Sequence, residues 1–194
     1  MYHLNNAGPG AEAWIRSLKT ISPVGCVLLV VDLQTRLLPA IDKGAEVLAT
    51  TGRLLAAASL LNVPSVFTEQ NVGGLGSTAD EIRPPPQEVF HKMTFDACRT
   101  DGFLNRLKGF SDIVVVGCEA HVCVQQTVLG LIGAGRRVFV VGDAVGSRTR
   151  QNKDAALQRM AANGVEIVTS EMVIFEWLQT SEHPKFRDVL ALVK

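Results

Sequence analysis

Residues Ser111–Val128 read SDIVVVGCEAHVCVQQTV and carry the clearest structural signal in the chain. The unbroken β-branched run Ile113–Val116 is typical of a strand that is buried on both faces of a parallel sheet. Gly117 ends this run, and from His121 onward the apolar residues follow helical spacing. The pattern predicts a buried strand that leads directly into a helix, with Cys123 in the first helical turn.

This position makes Cys123 a candidate nucleophile. The N-terminus of a helix carries a partial positive charge and unpaired N–H groups, which favour a thiolate over a thiol. The same N–H groups can bind the oxyanion that forms when sulfur attacks a carbonyl. The alternative is that Cys123 is a small buried hydrophobic residue, as free cysteines often are. Position alone leaves both interpretations open.

The composition indicates a compact globular protein. The chain has 194 residues, of which 47 % are hydrophobic and 20 % are charged. We expect a single domain over residues 1–194, with an N-terminal arm and short helix within residues 1–22. Lys and Arg number 19, as do Asp and Glu, so nothing indicates a nucleic-acid or membrane-surface partner. Zero net charge and a mean hydropathy of +0.20 fit a homo-oligomer.

The four cysteines are expected to be free thiols. Cys26, Cys98, Cys118 and Cys123 have neither zinc-type spacing nor a CxxC pair. No secretory signal pattern is visible at the N-terminus, and the apolar runs are of strand length, too short to span a membrane. These features together predict a cytoplasmic location.

Apolar runs alternate with helical patterns through the rest of the chain. The other predicted strands are Cys26–Asp32, Val63–Thr68, Glu88–His91, Arg137–Gly142 and Val165–Thr169. Helices are predicted over 11–18, 43–61, 102–109, 153–163, 170–178 and 183–193. This alternation predicts an α/β fold in which helices cover both faces of a six-stranded parallel sheet, giving three αβα layers.

Two charged residues lie at the carboxyl ends of predicted strands. Asp32 closes the run CVLLVVD, and Lys92 follows a short strand in an otherwise apolar and aromatic region. Each has an ordinary alternative, a turn or N-cap role for the aspartate and a structural role for the lysine. Because the carboxyl ends of parallel strands share one edge of the sheet, Asp32, Lys92 and Cys123 can meet there.

An acid, a cation and a thiol at one site form a set suited to nucleophilic catalysis. The Asp32 carboxylate can take the thiol proton and later give it to a leaving group. The Lys92 charge is expected to lower the pKa of the Cys123 thiol and to keep the carboxylate ionised.

The same residues lie in motifs that resemble those of the isochorismatase-like cysteine hydrolases. The motifs are LLVVDLQ around Asp32, HKMTFDA around Lys92, VVVGCEAHVCVQQT around Cys123, and VGDAVGSR after it. The loop TEQNVGGLG is similar to the branch of isochorismatase-domain-containing proteins. The resemblance runs from about Val27 to Leu178 and implies an Asp–Lys–Cys triad on a parallel sheet of order 3-2-1-4-5-6.

The resemblance implies further features of the site. It implies a cis peptide bond between Cys118 and Glu119 and an oxyanion hole made by the N–H groups of Glu119 and Cys123. It also implies a dimer or larger homo-oligomer. Gln34, Gln70 and His121 are candidates to line the substrate pocket, and a purely structural role is an equal alternative for each.

The chain departs from the nicotinamidases of this superfamily at their metal site. Those enzymes hold a metal with an Asp and two His after the second strand, where this chain has Glu69, Gln70 and Asn71. We therefore expect no metal ion and no cofactor, which argues against nicotinamide as the substrate. No basic cluster for a dicarboxylate is evident, which argues against isochorismate.

The sequence thus predicts a metal-independent cysteine hydrolase that cleaves a small amide or related C–N bond through a thioester on Cys123. Its partner is expected to be a small-molecule substrate. The main alternative is a catalytically silent scaffold or binding protein that keeps the same fold. A redox-sensing thiol is a third interpretation.

Overall fold

A parallel sheet of six strands forms the centre of the computed structural model, which describes residues 19–194. The strands are β1 Cys26–Val31, β2 Ser65–Gln70, β3 Val89–Lys92, β4 Asp112–Cys118, β5 Arg137–Gly146 and β6 Glu166–Val168. Every neighbouring pair is parallel, in the order β3-β2-β1-β4-β5-β6. The predicted fold class and strand order are confirmed.

Helices cover both faces of the sheet. They are α1 Gly44–Leu60, α2 Val72–Leu75, α3 Phe103–Arg106, α4 Gln125–Gly133, α5 Arg150–Ala162, α6 Ser170–Leu178 and α7 Phe186–Val193. A π-helical turn, Ala120–Val124, precedes α4, and short 3₁₀ turns occur at Leu38–Ala40, Asp80–Ile82, Pro86–Glu88 and Ala97–Arg99. The helix expected over 11–18 lies outside the described residues. Among those described, no helix is both long and apolar enough to span a bilayer.

Two hydrophobic clusters, one on each face of the sheet, explain why the sequences of β1 and β4 are unbroken apolar runs. On one face, Leu28 and Val30 of β1 pack with Leu54 of α1 and Trp177 of α6. On the other, alternate β1 residues pack with α3, α4 and α5, for example Val27, Leu29, Phe103, Val128 and Met160. Because successive side chains of a strand point to opposite faces, a strand covered on both sides is apolar at every position.

β1 and β4 approach each other closely where they end, and Gly117 makes this possible. Its φ angle is +119°, and a Cβ atom there would lie 2.0 Å from the carbonyl oxygen of Val31. No other residue fits this position without moving β1. The close approach brings the end of β1 beside the turn that carries Cys123.

β5 is longer than predicted. The expected strand stopped at Gly142, but β5 continues to Gly146 through a register shift against β4. Asp143 therefore lies within the strand, where its carboxylate accepts hydrogen bonds from the N–H (2.8 Å) and hydroxyl (2.5 Å) of Ser170 at the start of α6. A bulge lets a strand continue past a residue that would otherwise end it.

Candidate active site

Asp32 follows the last residue of β1 and is fully buried. Its φ angle is +49°, a left-handed conformation that aspartate and asparagine tolerate better than most residues. Its N–H donates to the carbonyl oxygen of Thr68 on β2 (3.1 Å). The end of β1 therefore turns sharply and directs the carboxylate along the edge of the sheet rather than into either hydrophobic cluster.

Lys92 is the last residue of β3 and reaches Asp32 across the intervening strand β2. Its Nζ donates to Asp32 Oδ2 at 2.6 Å and to the carbonyl oxygen of Thr94 at 3.2 Å. From β2, the Thr68 hydroxyl donates to Asp32 Oδ1 at 2.6 Å. Both oxygens of the carboxylate thus have a donor, as a buried charge requires.

Cys123 lies in the π-helical turn between β4 and α4, and its side chain is within hydrogen-bonding reach of the Asp32 carboxylate. The residue is 6 % exposed. The three residues that the sequence predicted to meet, Asp32, Lys92 and Cys123, are therefore brought together at the carboxyl edge of the sheet.

The pKa of the Cys123 thiol is raised in this setting. Burial is the largest cause, the negative charge of Asp32 is the second, and the Lys92 charge lowers the pKa by less than these raise it. The prediction that the helix N-terminus and Lys92 give a low thiol pKa is wrong in its net direction. Motif spacing shows which groups are neighbours, but not how completely water is excluded from them. A raised pKa favours the neutral thiol over the thiolate before substrate binds.

Glu119 connects β4 to the turn that carries Cys123. The peptide bond between Cys118 and Glu119 is cis. The Glu119 carbonyl oxygen accepts hydrogen bonds from Val122 N–H (3.0 Å) and Val124 N–H (3.2 Å). Its own N–H has no acceptor within residues 19–194. Its carboxylate accepts a hydrogen bond from Nε of Arg148 at 2.8 Å.

Gln34 and Gln70 are bonded to each other. Gln34 is fully buried, and its amide accepts from Gln70 N–H (2.9 Å) and donates to the carbonyl oxygens of Gln70 (3.1 Å) and Gly76 (2.5 Å). These bonds give Gln34 a structural role, tying the end of β2 to the following loop. The Gln70 side chain donates to the carbonyl oxygen of Met93 (3.2 Å) and borders the same edge of the sheet as Lys92.

His121 lies in the turn of Cys123 and is directed toward the start of α5. Its Nδ1 is 3.0 Å from the Ser147 hydroxyl, and its Nε2 is 3.4 Å from the amide nitrogen of Asn152. Both ring nitrogens therefore have partners within the protein. In this structure His121 links the turn to α5.

A cavity of about 550 Å³ opens beside Lys92. The cavity borders the site without containing the thiol, because its lining does not include Asp32 or Cys123. The lining residues are Glu69, Asn71, Val72, His91, Lys92, Met93, Thr94, Arg99, Thr100 and Asp101. Met93 is 70 % exposed at this border, and nearby Phe95 is 51 % exposed. Phe95 is therefore not a core residue, whereas Phe67 is buried and Phe90 packs against Phe103.

Thr68 and Arg148 contact the site and were not singled out from the sequence. Thr68 is the first residue of the stretch TEQNVGGLG, and Arg148 ends the motif VGDAVGSR. Both lie in or beside motifs that carry the family resemblance, which was the only available signal. Their partners, Asp32 and Glu119, are distant in the sequence, so local patterns do not indicate the pairing.

The residues at the metal position of the nicotinamidases do not fit a metal site. The Glu69 carboxylate accepts hydrogen bonds from the N–H (2.7 Å) and hydroxyl (2.8 Å) of Thr78. His91 Nδ1 lies 3.4 Å from its other oxygen. In the part of the chain that the structure describes, no three His, Cys, Asp or Glu side chains are placed to share a metal ion.

The fold and this arrangement agree with the comparison to known families. Residues 26–172 match the model of the isochorismatase domain. The chain belongs to the isochorismatase family. This family consists largely of hydrolases, and the match covers every strand and the Asp32, Lys92 and Cys123 positions.

The isochorismatase family includes similar proteins from several animals. Isochorismatase domain-containing protein 1 from Danio rerio is 37 % identical over 93 % of this chain and 65 % of its own length. Isochorismatase domain-containing protein 2 from the same organism is 33 % identical over 89 % of each chain. The chain thus spans less than two thirds of the first relative and most of the second.

A solved structure has the same fold at similar identity. The structure described as MAR1 ribonuclease from Caenorhabditis elegans superposes with a TM-score of 0.85. It is 36 % identical, and the match covers 90 % of this chain and 92 % of that one. This similarity supports the architecture described above.

Proposed function

We propose that this isochorismatase-family chain is a metal-independent cysteine hydrolase that cleaves a small amide or related C–N bond. One observation carries the proposal: the buried Asp32 carboxylate is bonded to the Lys92 ammonium at 2.6 Å and is within reach of the Cys123 thiol. A carboxylate that faces a neutral thiol on one side and a fixed cation on the other is suited to move a proton without leaving the site.

The proposed reaction begins with transfer of the Cys123 proton to Asp32 as the sulfur attacks the substrate carbonyl. The resulting oxyanion is bound by the N–H groups of Glu119 and Cys123. The C–N bond then breaks, Asp32 returns the proton to the leaving nitrogen, and the acyl group remains on Cys123 as a thioester. Asp32 next takes a proton from water, which attacks the thioester, and the released thiol regains that proton.

The neutral resting thiol fits this order of events. Since burial and Asp32 raise the thiol pKa, a free thiolate is disfavoured until a substrate accepts the negative charge. Proton transfer and attack are therefore expected to be coupled. Lys92 keeps the total charge of the Asp32–Lys92 pair near zero before the reaction. During the reaction, the Lys92 ammonium stabilises the negative charge that develops.

The substrate is expected to be small, because Cys123 is only 6 % exposed. The pair of N–H groups assigned to the oxyanion favours a carbonyl compound activated by hydrogen bonds. Homo-oligomer formation and a cytoplasmic location remain predictions.

Cleavage of RNA is a second candidate, since the similar Caenorhabditis elegans structure is described as a ribonuclease. The formal net charge of this chain is zero, whereas RNA-binding surfaces are usually basic. Cys123 is also only 6 % exposed, which favours a small substrate over a polynucleotide. These observations favour the small-amide reaction, and the silent scaffold and the redox-sensing thiol remain as alternatives.

The test is a hydrolysis assay with a panel of small primary amides, ureides and carbamoyl compounds, read as ammonia release, with a short RNA assayed in parallel. Cys123→Ala should abolish amide turnover and keep the wild-type circular dichroism spectrum. Cys98→Ala is the matched control, because Cys98 is a partly buried thiol that bonds to Thr127 and lies outside the proposed triad. Turnover retained by Cys123→Ala would rule out this mechanism.

A further inference from the structure

The Glu119 carboxylate is an unusual neighbour for a nucleophilic thiol. Its negative charge is among the causes that raise the pKa of Cys123, together with burial and Asp32. The same residue supplies one of the two N–H groups assigned to the oxyanion. A second anion at this position opposes both a thiolate and an oxyanion, unless another charge compensates it.

Arg148 supplies that charge. Its Nε lies 2.8 Å from Glu119 Oε1, at the point where the chain leaves β5. The Glu119 side chain is 14 % exposed, so the pair is partly shielded from water, whereas the Arg148 side chain is 58 % exposed. An ion pair with one partly buried member is screened less by water than one on an open surface.

The pair also fixes the orientation of the Glu119 backbone. The carbonyl oxygen is held by the N–H groups of Val122 and Val124, and the side chain is held by Arg148. With the carbonyl oxygen and the side chain of Glu119 both held, its N–H is left without a protein acceptor in the described residues. Preorganised donors of this kind stabilise an oxyanion without rearrangement.

We propose that Arg148 is a positioning residue for the hydrolase site, which neutralises Glu119 and holds its N–H toward the reacting carbonyl. The inference rests on the proposed function, since it assigns Glu119 to the oxyanion hole. Arg148 does not touch the reacting atoms. It acts through Glu119.

Other charged groups near Cys123 remain unchanged in the test. These unchanged groups are Asp32, which follows β1, and Lys92 at the end of β3. Glu119 is the third charged group that acts on the thiol, and the test varies it. His121 is the titratable residue in the same turn and is directed to Ser147 and Asn152. The test therefore varies Glu119 and Arg148 alone.

The experiment measures the rate of iodoacetamide alkylation at Cys123 against pH, with peptide fragment spectra to separate Cys118 from Cys123. Arg148→Ala should slow alkylation about three- to tenfold at neutral pH, because the uncompensated Glu119 charge raises the thiol pKa further. Glu119→Gln should accelerate it by a similar factor. The double variant should return close to the wild-type profile, because neither charge remains.

Two controls separate this role from a general effect of charge or stability. Arg150→Ala removes a nearby arginine whose partner is Asp154 at 3.4 Å and should leave the profile unchanged. Arg148→Lys keeps the charge and should restore most of the wild-type rate. With an amide substrate, Arg148→Ala should lower kcat more than it raises KM, because the oxyanion forms after binding.

The outcomes distinguish this inference from the proposed function. If wild-type Cys123 supports turnover but Arg148→Ala and Glu119→Gln do not shift its alkylation in opposite directions, the positioning role is wrong and the hydrolase proposal stands. If Arg150→Ala has the same effect as Arg148→Ala, the effect is one of general charge and the inference is also wrong. If Cys123→Ala keeps full turnover, both proposals fail.

Discussion

Lys92 Nζ lies 2.6 Å from Asp32 Oδ2, and both side chains are completely shielded from solvent. The two residues come from strands that do not pair with each other, and Thr68 on the strand between them bonds to the other carboxylate oxygen. Burying such a pair is costly unless nearly every donor and acceptor is satisfied. Here both carboxylate oxygens have a donor, so the ion pair can persist without solvent at the edge of the sheet.

Asp32 and Lys92 should change the reactivity of Cys123 in opposite directions. Asp32→Asn removes a charge that raises the thiol pKa, so alkylation at neutral pH should become faster, by about tenfold or more. Lys92→Met removes the charge that lowers the pKa and should slow alkylation. Asparagine suits the left-handed backbone of residue 32, so the first variant should fold.

Site-resolved mass spectrometry after iodoacetamide treatment measures both effects. Asp143→Asn is a matched control, because the Asp143 carboxylate bonds to Ser170 and is not among the charges that act on Cys123. If Lys92→Met is too unstable to purify, the Asp32→Asn result alone shows whether the Asp32 charge raises or lowers the pKa of the Cys123 thiol. Slower alkylation in Asp32→Asn would show that the electrostatic account of the thiol is wrong.

The Thr68 hydroxyl should stabilise the folded protein through Asp32. Thr68→Val keeps the shape of the side chain but leaves Asp32 Oδ1 without its 2.6 Å donor, which should cost about 1–3 kcal/mol of unfolding free energy. Thr51→Val is the control, because Thr51 is fully buried and its hydroxyl has no partner. Urea unfolding measures both. Equal effects of the two substitutions would contradict the importance of the Thr68 bond.

Gly117 should be irreplaceable at the meeting point of β1 and β4. Gly117→Ala places a methyl group 2.0 Å from the Val31 carbonyl oxygen at a φ of +119°, so we expect a loss of roughly 3 kcal/mol or more, or failure to fold. Gly133→Ala at the end of α4 meets nothing within 4 Å and should be neutral or slightly stabilising. Thermal unfolding of the two variants tests the contrast, and a Gly117→Ala protein as stable as the wild type would disprove it.

Much of the fold could be read from the sequence because its signals are local. The unbroken run Ile113–Val116 and the run that ends at Asp32 mark strands that are buried on both faces, whichever residues cover them. The edge position of Asp32, Lys92 and Cys123 then follows from parallel topology. The order of strands and the predicted cis bond came from resemblance to a family and not from these patterns.

The rest depends on contacts between distant residues. Glu119 and Arg148 are 29 positions apart, and Asp32 and Thr68 are 36 apart, so no local period connects them. The net shift of the Cys123 thiol pKa depends on how fully the thiol is buried, which spacing does not report. The continuation of β5 past Asp143 depends on its pairing with β4.

Acyl transfer to Cys123 can be observed directly with p-nitrophenyl acetate, an activated acyl donor whose leaving group needs no proton. In Asp32→Asn, the thiolate is less disfavoured than in the wild type, but the base that activates water is missing. Acetylation should therefore proceed and the thioester should accumulate. Intact-mass and peptide mass spectrometry should show one acetyl group per chain, located on Cys123, while the wild type turns over without accumulation. An acetyl group on another residue, or none on Cys123, would contradict the assignment of Cys123 as the nucleophile and Asp32 as the base.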